Sequence, residues 1–112
     1  YIHAVFREQL DYALANLAKI HARVGDAVDV MFVCGTDFGT QTSSFCSPAT
    51  FDDLWLPYYK AVNDWVHANT TWKTFIHSCG SIFEAIPGLI ELGVDVIHPI
   101  QALDRFWLLF ML

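Results

Sequence analysis

The sequence predicts an α/β fold in which three parallel strands alternate with helices. Three features carry that prediction. Helical and strand-like patterns alternate along the chain in the order α, β, α, β, α, β. The links between them are short, which favours parallel strands joined through crossover helices. The strand segments are almost continuously apolar, as strands of parallel sheets are.

Residues 3 to 24 read as an amphipathic helix. Leu10, Ala13, Leu14, Leu17, Ile20 and Val24 recur there at helical spacing. Gly25 is placed to stop it. Residues 27 to 33 are short, β-branched and nearly all apolar, which predicts a strand covered on both faces. A loop rich in Gly, Thr and Ser follows over residues 34 to 46. Ser47-Pro48 opens a second helix, with Ser as N-cap and Pro in the first helical position. Asp52 and Asp53 fall near that start, where the positive end of the helix dipole favours acids. Phe51, Leu54, Trp55, Tyr58, Val62, Trp65 and Val66 form one apolar stripe, and Pro57 inside it should kink or divide the helix. Residues 72 to 77 form the second strand. Ser81-Ile82-Phe83-Glu84 has the spacing of a capping box for a third helix, which ends near Gly93. Residues 94 to 97 form the third strand.

Three strands cannot close a barrel, since eight βα units need about 250 residues. The pattern fits a piece of such a barrel or of an open doubly wound sheet. Composition points to missing neighbours. The chain of 112 residues is 54% hydrophobic and only 16% charged. A free-standing domain this small has a large surface to cover with polar groups. The balance therefore predicts faces that meet the rest of a barrel or a second subunit, and Tyr1 in place of Met adds to the expectation of a fragment.

Several classes are excluded. The aromatic and apolar content argues against disorder. The net charge is −6 and no basic run exists, so nucleic acid and anionic membranes are not expected partners. No stretch approaches the roughly 18 apolar residues of a spanning helix. Arg7, Glu8 and Asp11 interrupt any signal-peptide pattern. Three cysteines, an odd number, predict reduced thiols in the cytoplasm rather than disulfides. Walker, dinucleotide-binding and nucleophile-elbow motifs are absent from the sequence.

Ligands of parallel α/β folds gather at the C-terminal ends of the strands. Polar clusters fall at all three such ends: residues 34 to 41, His77-Ser78-Cys79-Gly80, and His98-Pro99-Ile100-Gln101. His77 and Cys79 are two residues apart, so in an extended chain both side chains leave one face. Imidazole and thiolate are zinc ligands, but two make half a site. They also fit a buried His beside a small buried thiol at a strand end. Cys34 and Cys46 are candidates to complete the site, or are structural thiols. Cys79 with a His is also a possible nucleophilic pair. Asp37 sits in a Gly-flanked loop as a general base, a substrate acceptor or an acceptor for the loop's own backbone. Thr40 and Gln41 offer neutral hydrogen bonds to a ligand or to the loop. His98 is a site residue or simply packed. Asp29 and Asp95 lie at the far ends of their strands and read as structural.

At these residues the chain resembles the uroporphyrinogen decarboxylase superfamily, and most of all its branch of corrinoid-dependent, zinc-containing methyltransferases. The stretches that carry the resemblance are Asp37-Phe38-Gly39-Thr40-Gln41, Ser47-Pro48 with Phe51, and Pro57-Tyr58-Tyr59-Lys60. They continue with His77-Ser78-Cys79-Gly80, Ile86-Pro87, Gly93-Val94-Asp95 and Pro99-Ile100-Gln101. The resemblance implies a partial TIM-type (β/α)8 barrel, with residues 1 to 101 as a segment of its C-terminal half. It implies zinc on His77 and Cys79, with a third ligand, a Cys, further downstream than this chain reaches. It implies a thiol acceptor methylated from a methylcorrinoid that a corrinoid protein supplies as partner. Asp37 would act at the catalytic centre, and Asp37, Thr40, Gln41, His98 and Gln101 would line the substrate cavity. Two readings stand beside this one: metal-free decarboxylation of uroporphyrinogen, and an inactive truncated fragment. Residues 102 to 112 depart from the family pattern and end in an unbroken apolar run from Phe106 to Leu112.

Overall fold

A computed structural model describes residues 1–99. Its elements in order are α1 (Ile2–Val24), β1 (Val30–Cys34), α2 (Pro48–Leu54), α3 (Leu56–Asn69), β2 (Lys73–His77), α4 (Ile86–Glu91) and β3 (Val96–His98). The strands form one open sheet in the order β1-β2-β3, and both pairings are parallel. The register sets Phe32 beside Phe75 and His77 beside His98. Gln101 and the apolar run of residues 102–112 lie outside the described residues.

Local chemistry accounts for the boundaries. Gly25 ends α1 with φ of 48°, a region that suits a residue without a Cβ. Ser47 caps α2, accepting the Thr50 N–H on its Oγ at 3.2 Å. Pro57 divides the long apolar stripe. The helix stops at Leu54, turns at Trp55 and resumes as α3, with Pro57 in the first turn where no N–H is needed.

Five expectations need correction. The first strand begins at Val30, because residues 25 to 27 form a 3-10 turn that leads the chain out of α1. Among the described residues that strand is covered on one face only: Val30 and Phe32 are 50% and 58% exposed, because no helix among those residues lies over their side of the sheet. Asp52 and Asp53 are not at a helix start. The proline break leaves α2 only seven residues long, so they fall in its last turn. The capping box does not form. Residues 83 to 85 make a 3-10 turn, the Ser81 N–H bonds to the Thr40 carbonyl, and α4 starts only at Ile86, with Pro87 in its first turn. The second and third strands start one and two residues late, at Lys73 and Val96.

The core lies between β2 and the helices that follow β1 and β2. Ile76, Leu89 and Leu92 are fully buried, with Phe38, Phe51 and Ile82 around them. At the N-terminal end of the sheet Asp95 ties β2 to β3. Its carboxylate accepts the Thr74 N–H at 2.8 Å and stands 2.7 Å from His67 Nε2 and 3.3 Å from Lys73 Nζ. Burial alone would raise its pKa. The hydrogen bonds from Thr74, His67 and Lys73 outweigh burial and hold it well below the usual carboxylate range.

Candidate metal centre

The strands end at Cys34, His77 and His98, so the loops that leave this edge of the sheet bring their side chains together. Past His77 the chain keeps its alternation. Ser78 is fully buried, and its Oγ accepts the Phe38 N–H at 2.8 Å. His77 and Cys79 meet on the other side, with Nε2 3.0 Å from Sγ.

The loop after β1 is pressed onto this turn. Gly39 makes the approach possible: a Cβ there would stand 2.5 Å from the Ser81 backbone nitrogen. Gly80 opposite it has φ of 86°. Across this contact the Cys79 N–H donates to Asp37 Oδ1 at 2.8 Å, and the same oxygen lies 3.8 Å from His77 Nε2. Asp37, His77 and Cys79 each offer a ligand atom, and these atoms all lie within 4.8 Å of one another. Among the described residues they are the one such group.

The three side chains offer donor types that a zinc ion takes. Ligands at about 2.0–2.3 Å in a tetrahedral array stand roughly 3.3–3.8 Å from each other. Of the spacings from His77 Nε2, 3.8 Å to Asp37 meets the top of that range and 3.0 Å to Cys79 falls just below it. Thiolate, imidazole and carboxylate are all zinc donors, and three protein ligands leave a fourth position open.

The other sequence candidates fall into different places. Thr40 holds its own turn: its hydroxyl donates to the Ser43 carbonyl at 2.9 Å and accepts the Ser43 N–H at 3.1 Å. Gln41 is exposed beside it. The exposed His98 has Nδ1 3.1 Å from His77 Nδ1, and its ring stacks on Phe75 with centroids 5.9 Å apart. Cys34 and Cys46 pack against the apolar core rather than joining the metal-competent group. Burial pushes the Cys46 thiol pKa up. Burial, reinforced by the Cys34 thiol, also raises the pKa of Tyr59, so both groups stay protonated.

The sequence marks Asp37 as a general base, a substrate acceptor or an acceptor for the loop's own backbone; in the structure it accepts a backbone N–H, that of Cys79 in the neighbouring loop. Among third-ligand candidates the sequence offers Cys34 and Cys46. The signal for Asp37 is its position: it follows the end of β1 by three residues, much as Cys79 follows the end of β2 by two. Compared with known proteins, the chain matches no family model, no curated protein and no solved structure.

Proposed function

We propose that the chain binds one zinc ion on Asp37, His77 and Cys79 and is part of a barrel enzyme that methylates a thiol. The observation that carries the reading is the convergence of those three side chains at the C-terminal edge of a parallel sheet. That edge is where barrel enzymes place their chemistry. The order of the stretches that resemble the uroporphyrinogen decarboxylase superfamily supports the same reading. So does the sheet, whose strands are neighbours in chain order and whose Val30, Phe32 and Val96 are exposed on one side. In a (β/α)8 barrel that side would face inward.

A zinc ion at such a site supplies a Lewis acid that keeps an acceptor thiol ionised at neutral pH. The residues prepare that role. The Cys79 thiolate and the Asp37 carboxylate together balance a divalent charge. The Cys79 N–H fixes the carboxylate, and the Ser78–Phe38 hydrogen bond fixes the turn beneath it. The methyl group would come from a methylcorrinoid carried by a partner protein, in the cytoplasm. Decarboxylation of a polyanionic porphyrinogen is less well supported, since the arginines among the described residues, Arg7 and Arg23, both lie on α1.

Metal analysis tests the proposal. One zinc per chain is expected, with a thiolate-to-metal absorption band when cobalt replaces it. Asp37→Ala, His77→Ala and Cys79→Ala should each weaken binding, and Cys79→Ala should abolish the band. Thiol methylation from free methylcobalamin should fall with the metal. A wild-type chain that takes up no zinc would sink the reading.

A further inference from the structure

We infer that His98 is a positioning residue: it accepts the Nδ1–H of His77 and so directs the Nε2 lone pair of His77 at the metal. The inference rests on the zinc reading above and goes beyond it. The resemblance makes His98 a substrate contact, but its surroundings are those of a fixed support. His98 and His77 are register partners at the ends of neighbouring strands. Their Nδ1 atoms are 3.1 Å apart, and their ring centroids 5.3 Å. The His98 ring lies on Phe75 at an interplanar angle of 30°, and its carbonyl accepts the Ser78 N–H at 2.8 Å. The ring is thus held from below and the backbone from the side.

The proton count follows from the geometry. His77 Nε2 faces Cys79 Sγ and Asp37 Oδ1. To ligate a metal there it must carry a lone pair, so the His77 proton sits on Nδ1. Two nitrogens 3.1 Å apart share one proton, so His98 Nδ1 must be the acceptor. His98 then carries its own proton on Nε2. Partners of this kind set the tautomer of a metal-bound His, and their loss typically costs about 10- to 100-fold in affinity.

The experiment compares zinc affinity, by competition with a chromophoric chelator, in the full chain and two variants. His98→Phe keeps a flat ring over Phe75 and removes the acceptor. His98→Gln keeps an acceptor oxygen. A loss of about 10- to 100-fold in His98→Phe, largely restored in His98→Gln, is expected. Unchanged affinity in His98→Phe overturns the inference and leaves the zinc reading intact. Equal losses in both variants also overturn it, since that result marks a packing role. A wild type that binds no zinc overturns both. Should His98→Phe fail to fold, nitrogen-15 NMR of the zinc-loaded wild type decides. A protected His77 Nδ1–H with scalar coupling to His98 Nδ1 is expected, and its absence overturns the inference.

Discussion

The two flanks of the sheet are packed to different degrees. On the β2 side, Ile76, Leu89 and Leu92 are sealed between strand and helices. On the β1 side, neither α1 nor β1 contains a fully buried residue. α1 and α3 leave against β1 an apolar groove of about 520 Å³, lined by residues such as Phe6, Leu17, Trp55 and Tyr58. What differs is the number of neighbours. Among the described residues β2 has a strand on each side, whereas β1 is an edge.

The largest effects therefore belong to the β2 flank. Leu89→Ala should cost about 2–5 kcal/mol, the range for deleting a fully buried leucine. Leu17→Ala on α1 removes the same atoms from a half-buried position and should cost about 1 kcal/mol. Urea unfolding of both variants measures the contrast. Equal losses would show that the groove is closed in solution.

Next comes the contact between the loops after β1 and β2. Gly39→Ala drives a methyl group into the Ser81 backbone, which no side-chain rotation relieves. A loss of about 1–3 kcal/mol is expected, with weaker zinc binding, because the same contact carries Asp37 to His77. Gly93→Ala is the control. Its φ of 85° makes it strained, but its Cβ would meet open space. It should cost about 1 kcal/mol and leave metal affinity unchanged.

Asp95 sharpens the comparison through pH. Its pKa in the folded chain lies below the unfolded value of about 4. Its stabilisation is therefore complete above that unfolded value and drains away as pH falls through the folded pKa. Asp95→Asn should cost about 1–2 kcal/mol at neutral pH and progressively less as the solution is acidified below about pH 4. A penalty independent of pH would show that the carboxylate charge contributes nothing to the tie between β2 and β3.

Element type was legible from the sequence because each element carries its own cue. The Ser47-Pro48 start, the Pro57 break and the Gly25 and Gly93 stops depend on backbone chemistry within a few residues. The burial of the first strand was misread, because an apolar run records what a strand is suited to meet and not which neighbours are present. The capping box failed for a related reason. The Ser81 N–H is drawn to Thr40, a partner 41 positions away that no local spacing displays. At the site, His77 and Cys79 were legible as a pair from strand alternation. Asp37 joins them only because two glycines let separate loops touch.

The smallest expected effect lies on the bare face of the sheet. Phe32 is 58% exposed and touches Phe75 across the strand pair, with ring centroids 5.7 Å apart. Phe32→Thr keeps a β-favouring residue and gives up that ring contact. It should change stability by about 0.5 kcal/mol or less in dilute solution. The reason is that the side chain gains little protection from water on folding, so its removal forfeits little. A loss of about 2 kcal/mol that grows with protein concentration would mean that the face is covered by a second copy. A loss of that size independent of concentration would mean that part of this chain already covers it.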